Sequence, residues 1–199
     1  GCGKSPQIAR LAKRLADAGR ETVSLREPGG TIIGEAIRDV VKHPPGNKPI
    51  SPDTELLLMN ASRAQLVQEA IRPALAKGTV VLCDRFYDSS LAYQGYGRGL
   101  PMEDVERANL LATGGLEPDL VLLLDIPWET GMGRVEGRGD GEGRRFEEEP
   151  AWFHSRVRDG YLVQAKADPE RWLVVDGTLP QEQVEEIIWR RVGPLGKEA

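Results

Sequence analysis

The sequence predicts an α/β fold in which helices cover both faces of a parallel sheet. Three apolar runs of strand length, at 79–83, 120–124 and 172–175, are continuous rather than alternating, as is typical of strands buried on both faces. Segments with helical periodicity separate these runs. Strands that alternate with helices form parallel sheets through right-handed crossovers.

Helical periodicity and turn residues predict the remaining elements before the first apolar run. We expect, in chain order, a helix over 6–18, a strand over 22–26, a helix whose apolar residues span 33–41, and a proline-rich loop over 43–52. Gly19 suits the end of the first helix. Ser51 suits the N-cap of a third helix that runs past Ile71, and Pro73 is expected to kink or end it.

Length and composition indicate one domain. The chain has 199 residues, 40% of them hydrophobic, and we assign 1–199 to a single domain. The net charge of −5 offers no general attraction to nucleic acid or to an anionic membrane. The apolar runs are also far shorter than the ~20 residues that cross a bilayer. Cys2 and Cys83 are expected to be reduced thiols, which predicts a cytoplasmic protein.

Charged residues follow the predicted strands, at the edge where open α/β sheets bind their ligands. The strand ends carry Arg26 with Glu27, Asp84 with Arg85, Asp125, and Asp176. A carboxylate in this position can also do no more than cap the next helix. We expect this for Asp125, which precedes a proline and a helix, whereas for Asp84 we expect a functional role.

The chain begins with half of a phosphate-binding motif. Its first residues are Gly1, Cys2, Gly3, Lys4 and Ser5, which match the second half of G-x-x-x-x-G-K-[ST] and precede a helix. In such a loop, backbone amides and the helix N-terminus bind the phosphates of ATP. Lys4 would bind the β- and γ-phosphates, and the Ser5 hydroxyl would be a Mg²⁺ ligand. Because there is no initiator Met, we expect the first strand and the start of this loop to precede Gly1.

One face of the third helix combines apolar residues with an arginine. At 100° per residue, this face holds Leu56, Met59, Asn60, Arg63, Val67, Ala70, Ile71 and Ala74. An unpaired guanidinium within an apolar face is destabilising by several kcal/mol, so Arg63 needs an internal acid or a bound ligand. Both alternatives stay open at this point. A side chain that reaches solvent along the helix surface is the third.

The sequence contains two long motifs, REPGGT at 26–31 and DRFYDSSLAYQGYGRG at 84–99, and the second is highly specific. In these motifs it resembles the bacterial thymidylate kinases. The similarity covers most of the chain and continues through ELLL at 55–58, RAQL at 63–66, PDL at 118–120 and RFE at 145–147. The resemblance implies a three-layer P-loop NTPase-type parallel sheet, and transfer of the γ-phosphoryl group of ATP to dTMP with Mg²⁺ as cofactor. It also implies a homodimer.

Position by position, the resemblance implies an acceptor site for dTMP. Arg85 would bind the phosphate of dTMP, Arg63 would approach the thymine base, and Tyr93 would pack beside the sugar. The implied substrate-binding residues are Glu27, Met59, Arg63, Arg85, Ser89, Ser90, Tyr93 and Gln94. Ser5 and Asp84 would hold the metal ion, and residues 1–5 would bind the phosphates of ATP.

The glycine-rich stretch 137–145 favours a mobile lid, which we place at approximately 137–148, because alternate glycines do not form a stable helix. By resemblance, arginines of this lid would neutralise charge on the ATP phosphates, an effect worth about 10³- to 10⁵-fold in rate. The residues expected to take part in catalysis are Lys4, Arg85, Arg138 and Arg145. For Arg138, a solvated charged loop is the alternative.

Two positions depart from the family pattern. Met59 stands where the family usually has a phenylalanine on thymine, and Arg144 stands where it usually has an aspartate. Three other functions are considered: a kinase for another nucleoside monophosphate, a nucleotide-binding protein without turnover, and a P-loop regulatory switch. The switch is disfavoured because it would leave the acceptor-site arginines and the lid without a task.

Overall fold

The computed structural model describes residues 2–136 and 145–195, which fold into parallel strands and helices. The strands are β1 (Thr22–Arg26), β2 (Val80–Asp84), β3 (Val121–Asp125) and β4 (Trp172–Asp176). The helices are α1 (Lys4–Asp17), α2 (Ile32–Lys42), α3 (Pro52–Leu66), α4 (Arg72–Leu75), α5 (Tyr87–Ser90), α6 (Met102–Thr113), α7 (Trp128–Glu136), α8 (Ala151–Ala167) and α9 (Gln181–Val192). The predicted α/β class with parallel strands is confirmed. In the two described ranges, no helix combines the length and the apolar character that a membrane crossing requires.

The strands form two parallel pairs, β1 with β2 and β3 with β4. Each register brings the carboxyl ends of the strands together, since Arg26 lies opposite Asp84 and Asp125 lies opposite Asp176. One continuous sheet was expected, but within the described residues the two pairs are separate sheets. Apolar runs predict that a strand is buried and carry no information about its pairing partner.

Helices cover both faces of the β1–β2 pair. Val80 and Leu82 of β2 pack on a core cluster formed by residues of α1 and α9. Val81 and Cys83 pack on the opposite cluster, which contains Leu66 of α3. This alternation is the period-two pattern of a strand with two buried faces. The first cluster also takes side chains from β3 and β4, so both strand pairs contribute to one core.

Local signals set the course of the third helix. The Ser51 hydroxyl caps α3 by accepting a hydrogen bond from the Thr54 backbone N–H at 3.3 Å, as predicted. The helical path then continues through a π-helical turn, Val67–Ile71, into α4. Pro73 lies within α4 and does not end the helix. A widened turn of this kind is one way in which a helix accommodates a proline.

We expect Leu15→Ala to lower the free energy of unfolding by about 2–5 kcal/mol, because Leu15 is fully buried in the core and its truncation leaves a cavity. Urea unfolding followed by circular dichroism measures this loss. Leu75→Ala is the matched control, and at a position that is 42% exposed it should cost less than about 1 kcal/mol. Equal losses for the two variants would contradict this assignment of the core.

Candidate active site

The candidate site begins at the carboxyl ends of β1 and β2. Arg26 and Asp84 are paired there as the last residues of the two strands. The next residue, Arg85, has a φ of 75°, in the left-handed region. That conformation costs about 1–2 kcal/mol for a residue with a side chain. Backbone strain is concentrated at functional sites, so the turn at Arg85 is a candidate functional position.

The N-terminus of α1 has the features of an anion site. Gly3 precedes the helix with a φ of 88°, which glycine adopts without strain. The first turn contains no acidic residue, so its free N–H groups and the helix dipole favour a negative charge. The Lys4 ammonium donates to the Cys2 thiol at 3.5 Å, which keeps it beside the loop.

A cavity of about 470 Å³ joins these two features. Ser5 of α1, Arg26 of β1 and Asp84 of β2 line it, together with Gly30 and Glu35. One carboxylate oxygen of Asp84 is buried and has no hydrogen-bond partner among the described residues. A hydroxyl group and an unsatisfied carboxylate are oxygen ligands of the kind that Mg²⁺ prefers. The two predicted metal-binding residues, Ser5 and Asp84, are therefore brought to the same cavity.

A buried ion pair joins α3 to the loop after β1. The side chains of Arg63 and Glu27 are 3% and 4% exposed. Nε and Nη2 of Arg63 both donate to Oε2 of Glu27, at 2.9 and 2.8 Å. Nη1 of Arg63 donates to side-chain oxygens of Asn60, Ser90 and Asn109 at 2.9–3.0 Å. The sequence left open how Arg63 is paired, and in the structure its partner is an internal acid, Glu27.

The same pair leaves one oxygen unused. Oε1 of Glu27 is buried, and it lacks a hydrogen-bond partner within the described part of the chain. Burial raises the pKa of Glu27, and the Arg63 guanidinium offsets only part of this effect. Unsatisfied buried polar atoms are rare in folded proteins, and each is a candidate for contact with water, an ion or a ligand.

Two tyrosines hold the side chain of Arg85. Its Nη1 donates to the Tyr161 hydroxyl at 3.1 Å and its Nη2 to the Tyr93 hydroxyl at 3.0 Å. The guanidinium also lies 4.8 Å from the centre of the Tyr93 ring. Burial opposes the charge, but the two tyrosines and Asp84 outweigh it, and the pKa of Arg85 is raised. Tyr161 in turn donates to Ser89 at 2.8 Å, and burial raises the pKa of Tyr161 to about 12.

Arg63 and Arg85 converge on one short helical segment. Arg63 contacts Ser90 in α5, and Arg85 contacts Tyr93 in the π-helical turn that follows, Leu91–Gly97. The structure therefore brings these four predicted site residues together. Ser90 is buried, and the Tyr93 ring packs edge-to-face on Phe146, which belongs to the described part of the predicted lid.

Sequence reasoning missed Arg38 of α2. Its guanidinium donates to the backbone oxygen of Pro28 at 2.9 Å. Burial lowers the pKa of Arg38, and the neighbouring charges of Arg26 and Arg85 lower it further. Arg38 thus lies within range of two other guanidinium groups, and the carboxylates of Glu35, which pairs with Arg26, and of Asp84 offset part of this repulsion. A phosphate dianion would offset more of it. The sequence signal for Arg38 is its position on the helix that directly follows REPGGT.

Comparison with known proteins identifies the family. The family model described as thymidylate kinase matches residues 1–188. The chain is similar to the thymidylate kinase of Deinococcus radiodurans, with 47% identity over 98% of this chain and 93% of the relative. It is also similar to those of Thermomicrobium roseum, with 48% identity over 99% and 92%, and of Geobacter sulfurreducens, with 49% over 89% and 84%. The chain belongs to the thymidylate kinase family.

A member of the thymidylate kinase family phosphorylates dTMP to dTDP, so the predicted activity and enzyme class are confirmed. Kinases of this family use ATP, which makes ATP and dTMP the two substrates. The family also implies the P-loop NTPase fold. The parallel strands, and the glycine before α1, agree with that fold.

Two predicted residues of the thymidylate kinase site, Gly1 and Arg138, lie outside the described residues, as does Arg144 of the predicted lid. Residues 137–144 of the predicted lid are also outside them, and residues 145–148 form a turn.

Asp125 has an ion pair where a helix cap was expected, because both of its carboxylate oxygens accept from Arg158, at 2.6 and 2.8 Å.

Glu55 of α3 is a buried carboxylate to which the sequence assigned no role. Its Oε1 accepts from Nε2 of Gln94 at 2.8 Å and from Nε of Arg98 at 3.1 Å. Its Oε2 accepts from Nη2 of Arg98 at 3.0 Å and from Nη2 of Arg145 at 2.5 Å. Arg145, predicted to be a catalytic residue of the lid, is thus paired with α3. Met59 is half-buried on the same face, midway between Glu55 and Arg63.

We expect Glu27→Ala to lower the free energy of unfolding by about 3–5 kcal/mol, because the Arg63 guanidinium then stays buried without its acid. Urea unfolding measures the change. Asp17→Ala is the control, since it removes an exposed ion pair with Lys13 and should cost less than about 1 kcal/mol. A loss at Glu27 no larger than that at Asp17 would show that the buried pair has been misassigned.

Proposed function

We propose that the chain transfers the γ-phosphoryl group of ATP to dTMP at the carboxyl ends of β1 and β2, between the N-terminus of α1 and a cluster of arginines. The observation that carries this proposal is the convergence of Arg63 and Arg85 on Ser90 and Tyr93. Two fixed cations beside one helical segment suit a nucleotide that carries a phosphate at one end and hydrogen-bond acceptors at the other. We assign 1–199 to a single P-loop domain.

The donor side of the site is the N-terminus of α1. Residues 1–5 bind the phosphates of ATP in this proposal, and Lys4 places its ammonium against the β- and γ-phosphates. Ser5 and Asp84 fit a Mg²⁺ ion, because their oxygens line one cavity and Asp84 has an unsatisfied carboxylate oxygen. The ion would supply charge neutralisation and orientation of the phosphates.

The acceptor side is the arginine cluster. Arg85, held by two tyrosines, binds the dTMP phosphate, and Arg38 adds a second guanidinium close to it. Because these groups are fixed before the substrate arrives, little reorganisation is needed when charge moves between the two nucleotides. Tyr93 packs beside the sugar. Glu27 lies near the acceptor phosphate and keeps Arg63 in place.

The base lies further along the same segment in this proposal. Arg63 donates to the thymine ring, Met59 packs on its face, and Ser89, Ser90 and Gln94 complete the pocket. The contacts of Arg63 with Ser90 support this placement. A thioether packs on an aromatic ring, although with less rigidity than a phenyl group. For Arg138 and Arg145 we propose neutralisation of charge on the ATP phosphates, which for Arg145 requires release from Glu55.

We also propose a homodimer that acts in the cytoplasm. Helices α2, α3 and α6 pack side by side, and they expose apolar side chains at Ile33, Leu57, Leu110 and Leu111, which are 53–87% exposed. Exposed apolar side chains on adjacent elements are typical of protein–protein interfaces. A two-fold dimer that buries this surface would remove them from water.

Lys4→Ala tests the division between donor and acceptor sides. We expect kcat to fall at least about 10²-fold, since Lys4 neutralises transferred charge, while dTMP binding changes little. A coupled ADP-release assay gives the rate and isothermal titration gives the affinity for dTMP. Lys13→Ala, an exposed position on the same helix, is the control and should change neither. Equal losses of turnover and dTMP binding in Lys4→Ala would contradict the proposal.

Leu111→Glu tests the dimer. We expect this variant to sediment as a monomer in analytical ultracentrifugation, because a carboxylate is costly within an apolar interface. Val163→Glu places the same charge on α8, at a residue that is 50% exposed, and should sediment as the unaltered protein does. A monomeric unaltered protein, or a dimeric Leu111→Glu, would refute the proposed interface.

A further inference from the structure

The Glu55 carboxylate is fully buried, and the transfer proposed above gives it no role beyond its pairing with Arg145. Four N–H···O contacts reach it, from Gln94, Arg145 and two nitrogens of Arg98. A carboxylate has about four lone-pair sites, so these contacts saturate it. While Arg145 is paired with it, Glu55 has no capacity left for a ligand, and after release of Arg145 it still holds Gln94 and Arg98.

Among these groups, Gln94 is the one that the proposed function places beside the base of dTMP. Two guanidinium groups compensate the charge of Glu55. An ionised carboxylate only accepts hydrogen bonds, and only the NH₂ side of an amide donates them. The Gln94 amide is therefore held with Nε2 towards Glu55 and Oε1 on the opposite side. Because Gln94 is 1% exposed, water does not compete for this position.

Glu55 and Arg63 lie at two ends of one row of side chains. Glu55, Met59 and Arg63 are spaced four residues apart along α3. Ser90 and Gln94 are also four residues apart, on the facing segment. Arg63 contacts Ser90 and Glu55 contacts Gln94, so the two rows run side by side. The guanidinium and the oriented amide thus flank the region around Met59, where the proposed function places the base.

Thymine and cytosine differ in the atoms that such groups recognise. Thymine presents a carbonyl acceptor at C4 and an N–H donor at N3, whereas cytosine presents an amino donor at C4 and an acceptor at N3. Arg63 only donates, so it suits the thymine carbonyl. The Gln94 carbonyl oxygen accepts from the thymine N3–H and repels the lone pair of the cytosine nitrogen.

We propose that Glu55 is a positioning residue that sets base specificity: by fixing the Gln94 amide, it favours thymine over cytosine. The proposal rests on the proposed function, because it needs the base of dTMP beside Gln94. It also gives a reason for the buried charge cluster on α3, because whole clusters of this kind are often replaceable by apolar residues at little cost in stability.

Glu55→Gln tests this role. Glutamine keeps the shape of the side chain but can offer an oxygen or an NH₂ group, so the Gln94 amide is no longer held in one orientation. We expect the ratio of kcat/KM for dTMP over dCMP to fall about tenfold or more. Glu55→Asp keeps a carboxylate, which only accepts hydrogen bonds, and should retain most of the preference for dTMP over dCMP. Glu149→Gln removes the other acid that pairs with Arg98 and should leave the ratio unchanged.

Two further measurements keep the proposal falsifiable. In a Gln94→Met background, Glu55→Gln should not lower the dTMP preference further, because the amide through which it acts is gone. Isothermal titration with dTMP and with dCMP should give the same ratios as the kinetics. An unchanged ratio in Glu55→Gln, or a further fall in the Gln94→Met background, would overturn the proposal.

If Glu55→Gln does not fold, Gln94→Met decides alone. Full retention of the dTMP preference in Gln94→Met overturns the proposal, and its loss supports it. Failure of the unaltered protein to phosphorylate dTMP would instead refute the proposed function, so the two failures are distinguishable.

Discussion

The buried ion pair between Glu27 and Arg63 is the interaction on which the proposed acceptor side of the site depends. It joins the loop after β1 to α3, and through Ser90 and Asn109 it reaches α5 and α6. Burying two charges is costly, and an apolar pair of similar size is often as stable. The contribution of this ion pair is that it fixes the position of the Arg63 side chain. A guanidinium with five hydrogen-bond contacts has one place in the fold, and the residues that contact it are placed with it.

Other charged groups of the site are held in fixed positions as well. The chain has a net charge of −5, yet Arg26 and Arg85 lie at the ends of β1 and β2, and Arg38 of α2 is within range of both charges as well as those of Glu35 and Asp84. Fixed cations in a partly buried site attract a phosphate more strongly than the same cations in water would. The strained backbone at Arg85 and the unsatisfied oxygens of Glu27 and Asp84 lie in the same region. Strain and unsatisfied polar atoms make sense together if ligands complete the site.

Much of the fold was predictable because local signals determine it. The strand over 22–26 and the Ser51 cap agree with the structure, since burial pattern and capping chemistry are properties of a short segment. Strand pairing depends on the whole chain, and the two separate pairs were not predicted. The need of Arg63 for a partner could be read from α3, but the identity of Glu27 could not, because 36 residues separate them. The role of Arg38 and the pairing of Glu55 with Arg145 likewise arise only when distant segments meet.

In the proposed acceptor site, the arginine cluster would make the phosphate the main source of affinity for dTMP. The most direct test is the ratio of the dissociation constants of thymidine and dTMP, measured by isothermal titration without ATP. We predict that dTMP binds about 10²-fold or more tightly than thymidine, because only dTMP carries the dianion that Arg85 and Arg38 are placed to bind. Equal affinities for the two compounds would contradict the assignment of this cluster to the acceptor phosphate.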